Sequence, residues 1–396
     1  MTTNRTNRFD LVLLSCTLLL IVVGLLAIYS TAGSRYLFRQ LIFLPVGIAA
    51  MLALFFIPRR LIYGLTEPLY FLTLLLLLAV LFLGTGPGAR RWFQLGSFAF
   101  QPSEVAKITT ILMLAKYLSY KKEPQPNFTT LVGPALIILI PFLLIVVEPD
   151  LSTALCFIPP FATLLYWQGF RPLHILVIFL PFLSFAAGFS LYLWIPFFIT
   201  LGVIVFIRMR LFRAITTLAT SSFFGLLSPI VLSMLKDYQR ARLLNFFAPW
   251  LDPHGMGWNI IQSQIAIGSG RILGKGFLQG TQKRLGFLPN HHTDFIFSAI
   301  AEETGLLGSL ILLIIIVILL RRILIAAYNS RDQNGALIAV GFATILGYQT
   351  FVNIGMLLGL LPVTGITLPF ISYGGSSLVT CCAMIGLVLN IYSRPE

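Results

Sequence analysis

The chain carries 13 carboxylates in 396 residues, and their placement narrows the chemistry open to it. Asp10, Glu67, Glu123, Asp332 and Glu396 fall at one set of predicted helix ends; Glu104, Glu148, Asp150, Asp237, Asp252, Asp294, Glu302 and Glu303 fall on or near the opposite side. An ionisable group at membrane depth costs about 2.5–3.5 kcal/mol on insertion scales, so each near an apolar helix is a functional candidate. The sequence has no glycine-rich phosphate loop, zinc-ligand spacing or nucleophile elbow. Any reaction belongs to the carboxylates and bases of the second set.

The richest cluster runs from Leu288 through Pro289, Asn290, His291, His292, Thr293 and Asp294 to Phe297, then to Glu302 and Glu303. Asp294 stands where a polar segment enters an apolar helix. There a carboxylate serves either as a dipole-stabilised cap or as a general base. Glu302 and Glu303 lie two turns further in, and one of them is expected to face a wet cavity beside Asp294. A second cluster joins Arg90-Arg91-Trp92 to Gln101, Pro102, Ser103, Glu104 and Lys107. Glu104 and Lys107 are three apart on one helix face, suited to a structural ion pair or to a lysine facing a diphosphate. A third, Glu148-Pro149-Asp150, breaks one helix at its proline and caps the next with its aspartate, or orients a cation or a sugar. The fourth, Gly355 to Ser377, holds five Gly and Pro residues after Gly359 and includes Ser376. Irregular backbone at membrane depth persists only where protein or a water-filled cavity covers it.

The elements that position these groups are membrane helices. Hydrophobic residues make up 58% of the chain, charged residues only 10%, and mean hydropathy is +0.93. A soluble domain carries about 25% charged residues. Runs such as Leu69–Leu83 and Gly308–Leu320, with their uncharged flanks, approach the roughly 20 residues that cross a bilayer core. The pattern predicts helices at 9–30, 37–57, 61–83, 102–119, 131–147, 151–168, 172–188, 190–207, 214–235, 295–320, 335–360 and 372–392. The pair over 172–207, interrupted by Pro181 and Pro196, reads as two spans or as one embedded hairpin. Arg59, Arg60, Lys121, Lys122, Arg171, Arg208, Arg210, Arg213, Arg321 and Arg322 fall at the turns that the positive-inside rule assigns to the cytoplasm, which puts both termini there. No cleavable signal peptide is evident around Arg5, Arg8 and the first apolar run. Cys16, Cys156, Cys381 and Cys382 all lie in apolar runs, which predicts neither disulfides nor a metal site.

A single membrane domain, 1–396, is thus expected, with polar outer segments at 84–101 and 236–294 and an irregular re-entrant segment at 361–376. Seven of the 27 Lys and Arg residues fall between Lys236 and Arg284. That excess suits an anionic ligand or anionic lipid headgroups. His254, His291 and His292 lack partners at metal-ligand spacing, and Trp250 and Trp258 read as interfacial anchors.

Together these motifs resemble the SEDS family (shape, elongation, division and sporulation) over nearly the whole chain. The resemblance rests on Trp92, Gln-Pro-Ser-Glu with Lys107, Glu148-Pro149-Asp150, His292 to Phe297, and Ile371-Ser372-Tyr373-Gly374-Gly375-Ser376-Ser377. The stretch from Asp237-Tyr238-Gln239-Arg240 with Arg242 to Gly274-Lys275-Gly276 and Gly280-Thr281-Gln282 looks like the RodA-type branch. The resemblance implies an all-α polytopic bundle of ten family helices, here with an extra membrane hairpin, about twelve spans in all. It implies a peptidoglycan glycosyltransferase of the bacterial cytoplasmic membrane that polymerises lipid II during elongation and cell-shape determination. The family works beside a class B penicillin-binding protein and the elongation machinery; no nucleic acid is involved. Position by position, the family's essential aspartate falls on Asp294, its functional Trp on Trp92, its helix-end pair on Glu104 and Lys107, and the aspartate of Glu-Pro-Asp on Asp150. The resulting expectation has Asp294 as general base, while Lys107, Arg240, Arg242 and Lys275 steady the diphosphate, with or without a divalent cation such as Mg2+ or Mn2+. Glu148, His292, Glu302 and Ser376 are expected to support the site. The position before His291, often Glu in the family, is Asn290. A lipid flippase and a non-catalytic scaffold for the penicillin-binding protein are the rival readings; the placement of the carboxylates on one side favours the polymerase.

Overall fold

The structure, a computed structural model, describes residues 10–85, 90–95, 98–120, 128–209, 211–234, 256–281 and 292–393. Among them, seven helices are long and apolar enough to cross a membrane, and three shorter apolar helices accompany them. The chain divides into two compact units, Met1–Leu164 with Pro249–Glu396, and Leu165–Ala248.

In the larger unit, α1 (Leu11–Phe56) opens under an Asp10 cap whose Oδ1 accepts from the Leu13 N–H at 3.0 Å. Its helical path breaks at Gly33 alone (φ 73°), so the two expected spans meet at one residue with no loop between them. After α2 (Arg59–Leu83) comes a short hairpin, β1 (Phe93–Leu95) against β2 (Phe98–Phe100), antiparallel with Gln94 opposite Ala99. Then follow α3 (Pro102–Tyr120), α4 (Val132–Val147), and a pair, α5 (Leu151–Leu155) and α6 (Ile158–Trp167), in place of the single expected helix. The interruption coincides with Pro159 and Pro160, whose missing N–H groups cannot bond back into α5.

The smaller unit holds α7 (Pro172–Ala187), α8 (Leu191–Arg208) and α9 (Leu211–Met234), so 172–207 is two separate helices joined by a tight turn. Leu180, Leu201, Val205 and Ala214 form its core. The Trp194 indole donates to Ser184 Oγ at 3.0 Å, and Ser184 donates to the Ser221 carbonyl at 2.7 Å.

The larger unit resumes with α10 (Met256–Ser269), a helix inside the expected outer segment, then α11 (Ile296–Asn329), α12 (Gln333–Leu357) and α13 (Gly375–Ser393). Helices α12 and α13 are buried along most of their length, which makes them the centre of this unit. The expected end of α11 at residue 320 is corrected: the helix runs to Asn329. Arg321 and Arg322 read as an aqueous turn, but Arg322 Nη2 pairs with Asp10 at 2.8 Å and its guanidinium lies over the Tyr392 ring. A partnered arginine is no longer a helix-ending signal.

Near its start α11 is broken at Gly305 (φ 68°). A Cβ there would stand 2.3 Å from the Gly274 nitrogen and 2.5 Å from the Ile272 carbonyl oxygen, so only glycine fits. The freed backbone is taken up by the 270–276 segment. Leu306 N–H donates to the Arg271 carbonyl and Leu307 N–H to that of Ile272, while Lys275 and Gly276 N–H groups donate to the carbonyls of Glu302 and Glu303.

Candidate functional site

Four non-helical pieces of chain meet at one end of the larger unit: the β1–β2 hairpin, the 148–150 turn, the 292–295 turn and the irregular 358–374 segment. Each exists because a helix cannot continue through its sequence. Each is then satisfied by hydrogen bonds from the others, as backbone at membrane depth requires.

The 292–295 turn carries Asp294, which is partly exposed. Helix α11 starts immediately after it, with Phe295 at the N-cap position and no side chain capping the helix. The turn is fastened at each residue. The His292 carbonyl accepts from Tyr373 N–H at 3.0 Å, the Thr293 carbonyl from Ser372 Oγ at 2.7 Å, and the Asp294 carbonyl from Asn353 Nδ2 at 3.0 Å. The His292 ring packs on Tyr36 and Tyr373, at 4.4 and 5.6 Å between centroids. The Asp294 carboxylate lies over Gly365 (φ 77°), where an added Cβ would stand 3.4 Å from Oδ2. The irregular segment around Gly365 thus lines one side of the carboxylate, a neighbour that the sequence alone does not assign to Asp294.

The 148–150 turn lies across the same segment, because Ser152 Oγ donates to the Thr364 carbonyl. Asp150 caps α5 through the N–H and hydroxyl of Thr153, accepts from Gln101 Nε2 at 3.2 Å, and faces Arg91 at 3.9 Å. Arg91 Nε donates to the Glu148 carbonyl at 3.0 Å and its Nη2 to the Pro149 carbonyl. The hairpin beside Trp92 is therefore tied to this turn by one arginine. Trp92 itself is held by paired backbone bonds with Thr85, and Ser376 Oγ donates to the Ala99 carbonyl at 3.0 Å. Glu148, 1% exposed, has no hydrogen-bond partner on either carboxylate oxygen among the described residues. Burial, then the charge of Asp150, push its carboxyl up to about 8 against the pull of Arg91. Burial thus favours its protonated form.

The basic candidates are less open than the sequence suggests. Lys107, 2% exposed, pairs with Glu104 at 2.8 Å inside the bundle. Glu104, at 7%, keeps its second oxygen buried with no hydrogen-bond partner among the described residues. Lys275 Nζ pairs with Glu302 at 2.7 Å, and the Glu302 oxygen also accepts from the N–H and hydroxyl of Thr281, both at 2.8 Å. Glu303 accepts from Ser30 Oγ. The expectation that one of these two glutamates faces a wet cavity is corrected. Both are buried and answered by protein groups, and Glu302 fastens the 270–281 segment to the broken turn of α11. Arg240 and Arg242, like Asp237, Asp252, Trp250, His254 and His291, lie outside the described residues. Among the described residues no cluster of three His, Cys, Asp or Glu side chains is arranged to hold a metal, and all four cysteines are free thiols.

One participant was not singled out from sequence: Asn353, which had a visible signal as an amide inside an apolar helix. Arg91 was part of the Trp92 cluster, but its main-chain acceptors at 148 and 149 are partners that no side-chain spacing reveals.

A family model described as "Cell cycle protein", covering FtsW, RodA and SpoVE, matches residues 9–199 and 190–395. The chain is 37% identical over 401 residues to the "Peptidoglycan glycosyltransferase MrdB" of Escherichia coli K12, spanning 99% of this chain and 96% of that one. It is 35% identical to "Stage V sporulation protein E" of Bacillus subtilis over the full length of both. Among solved structures, one described as "Structural coordination of polymerization and crosslinking by a peptidoglycan synthase complex" superimposes with a TM-score of 0.75 at 32% identity, covering 97% of both chains. The rod shape determining protein RodA of Thermus thermophilus superimposes with a TM-score of 0.66 at 29% identity, covering 97% of this chain and 96% of that one.

Proposed function

The chain belongs to the FtsW/RodA/SpoVE family, and from that premise we propose that it is a peptidoglycan glycosyltransferase that polymerises lipid II, with Asp294 as its general base. It is a multi-pass membrane protein, here read as residing in the bacterial cytoplasmic membrane with both termini inside and Asp294 at the outer face. Its partner in this reading is a class B transpeptidase.

In the reaction, an acceptor sugar hydroxyl attacks the anomeric carbon of the donor. The bond from that carbon to the undecaprenyl diphosphate breaks as the new glycosidic bond forms, inverting the centre. The proton lost by the hydroxyl goes to the Asp294 carboxylate, and negative charge collects on the departing diphosphate. The observation that carries this reading is the fastening of the Asp294 turn. Three consecutive carbonyls, 292 to 294, are each held by a different donor. A base held this rigidly loses little to reorganisation when it accepts the proton.

Charge on the diphosphate falls, in this reading, to basic residues of the outer segment: Lys275, and Arg240 and Arg242, which lie outside the described residues. Lys107 reaches the leaving group only if the substrate penetrates the bundle to the depth of its ion pair. A divalent cation such as Mg2+ or Mn2+ would add to the neutralisation of the same diphosphate charge.

Asp294→Asn, purified with its transpeptidase partner and given purified lipid II, is expected to make no glycan strands while melting at the wild-type temperature. Strand formation at the wild-type rate would remove Asp294 as base.

A further inference from the structure

We infer that Asn353 is a positioning residue for the Asp294 carboxylate, acting as a two-pronged clamp between the 292–295 turn and the irregular segment beneath it. This rests on the reading of Asp294 as base.

Asn353 is wholly buried, at 0% exposure, on the last turns of α12. Its amide nitrogen has two protons, and both are used. One goes to the Asp294 carbonyl at 3.0 Å, the other to the Ile366 carbonyl at 2.7 Å. Those carbonyls belong to pieces of chain 72 residues apart, and both flank the carboxylate: Ile366 follows Gly365, over whose backbone Asp294 Oδ2 lies. Ser372 makes a second link between the same two pieces, accepting from the Leu368 N–H at 2.9 Å and donating to the Thr293 carbonyl, but Asn353 donates to both pieces and holds Asp294 itself. The angle at which the carboxylate projects over Gly365 is therefore set from α12, a helix buried around most of its circumference.

The chemistry of the side chain fits this task narrowly. Two carbonyl oxygens need two N–H or O–H protons from one rigid atom, which an asparagine or glutamine nitrogen offers and Ser, Thr or Asp does not. The Oδ1 of Asn353 is buried and has no hydrogen-bond partner among the described residues. An orphaned acceptor is a standing cost, tolerated here because the amide nitrogen is needed. In a helix whose neighbours are Val352, Ile354 and Met356, an apolar residue would spare this one acceptor but take the donor from the Asp294 and Ile366 carbonyls.

Asn353→Asp is nearly isosteric and tests the clamp directly. As a carboxylate it offers no proton and repels both carbonyls; as a neutral acid it donates to one of them only. The full-length chain with its transpeptidase partner is assayed on purified lipid II across substrate concentration and from pH 6 to 9, with melting temperature and partner co-purification recorded. Expected are a kcat lower by roughly 10- to 100-fold, in the range that an ångström of misplacement costs, a KM within threefold of wild type, and a loss that deepens as pH rises and the new carboxyl ionises. A wild-type kcat, or a loss carried entirely by KM with no pH dependence, would overturn the inference. If Asn353→Asp fails to fold, Asn353→Ser, with one small donor and no charge, carries the same kcat criterion. The parallel Asp294→Asn enzyme separates the two ideas. If it polymerises normally, the base assignment fails and the clamp's catalytic role goes with it. If it is dead while Asn353→Asp and Asn353→Ser turn over normally, only the clamp is wrong.

Discussion

Replacing Lys107 by Met, alone and together with Glu104→Gln, separates the two roles open to this pair. Both side chains are withdrawn from solvent, at 2% and 7% exposure, with 2.8 Å between Nζ and Oε1. Removing one member of such a pair strands the other's charge and typically costs about 3–5 kcal/mol, whereas replacing both by neutral groups of similar shape is often neutral or even stabilising. The stranded Glu104 would have no replacement partner, since its second oxygen already lacks one among the described residues. Lys107→Met is therefore expected to melt well below wild type, and the double variant to recover most of the difference. Thermal unfolding in detergent, followed by intrinsic fluorescence, gives the first readout; strand synthesis per folded molecule gives the second. A single variant as stable as wild type, or a double variant no better than the single, would refute the electrostatic argument. A stable double variant with full activity would confine Lys107 to a structural role. A stable, inactive one would place the ammonium in contact with the substrate.

Glu148 gives a pH signature. Its folded-state value of about 8 lies above the ordinary 4.5, so between these limits the folded protein holds a proton that the unfolded chain has released. Stability should then fall as pH rises from about 4.5 to 8 and level off above, by an amount of order a few kcal/mol; Glu148→Gln should flatten that part of the melting-temperature profile, and superimposable profiles would count against the assignment. Gly305→Ala should destabilise the protein by at least about 1–3 kcal/mol from the left-handed backbone alone, and by more from the contact with the Gly274 nitrogen at 2.3 Å; an alanine variant melting like wild type would mean that the 270–276 segment does not depend on this break.

Much of the site was legible because its elements announce themselves locally. Pro149 breaks a helix and Asp150 caps the next within three residues. Glu104 and Lys107 meet because residues three apart share a helix face. Asp294 stands where polarity gives way to hydrophobicity, which is where a helix begins. What could not be read was set by partners remote in sequence. The Arg322–Asp10 pair spans 312 positions and lets α11 run past two arginines. The destinations of Glu302 and Glu303 depend on Lys275, Thr281 and Ser30, none of which shares their helix. The hairpin over 93–100 was read only as a polar segment, since three-residue strands carry too little alternation to be seen.

The location of this site at the junction of broken helices follows from the bilayer. A continuous helix satisfies its own backbone and presents its side chains sideways, toward lipid or a neighbouring helix. It does not aim a carboxylate outward past its own end. To do that the chain must stop, and every stop frees carbonyl and N–H groups that lipid cannot answer. Here four stops share the burden. Ser372 and Tyr373 hold the Asp294 turn, Ser152 holds the 364 carbonyl, Arg91 holds the 148–149 carbonyls, and Asn353 bridges two pieces at once. The same bonds that make the backbone tolerable at that depth thus fix where the carboxylate stands. Positional precision and backbone satisfaction are one requirement at such a junction. If Asp294 is the base proposed above, residues such as Ser372 and Asn353 then act on the reaction through where they hold that carboxylate.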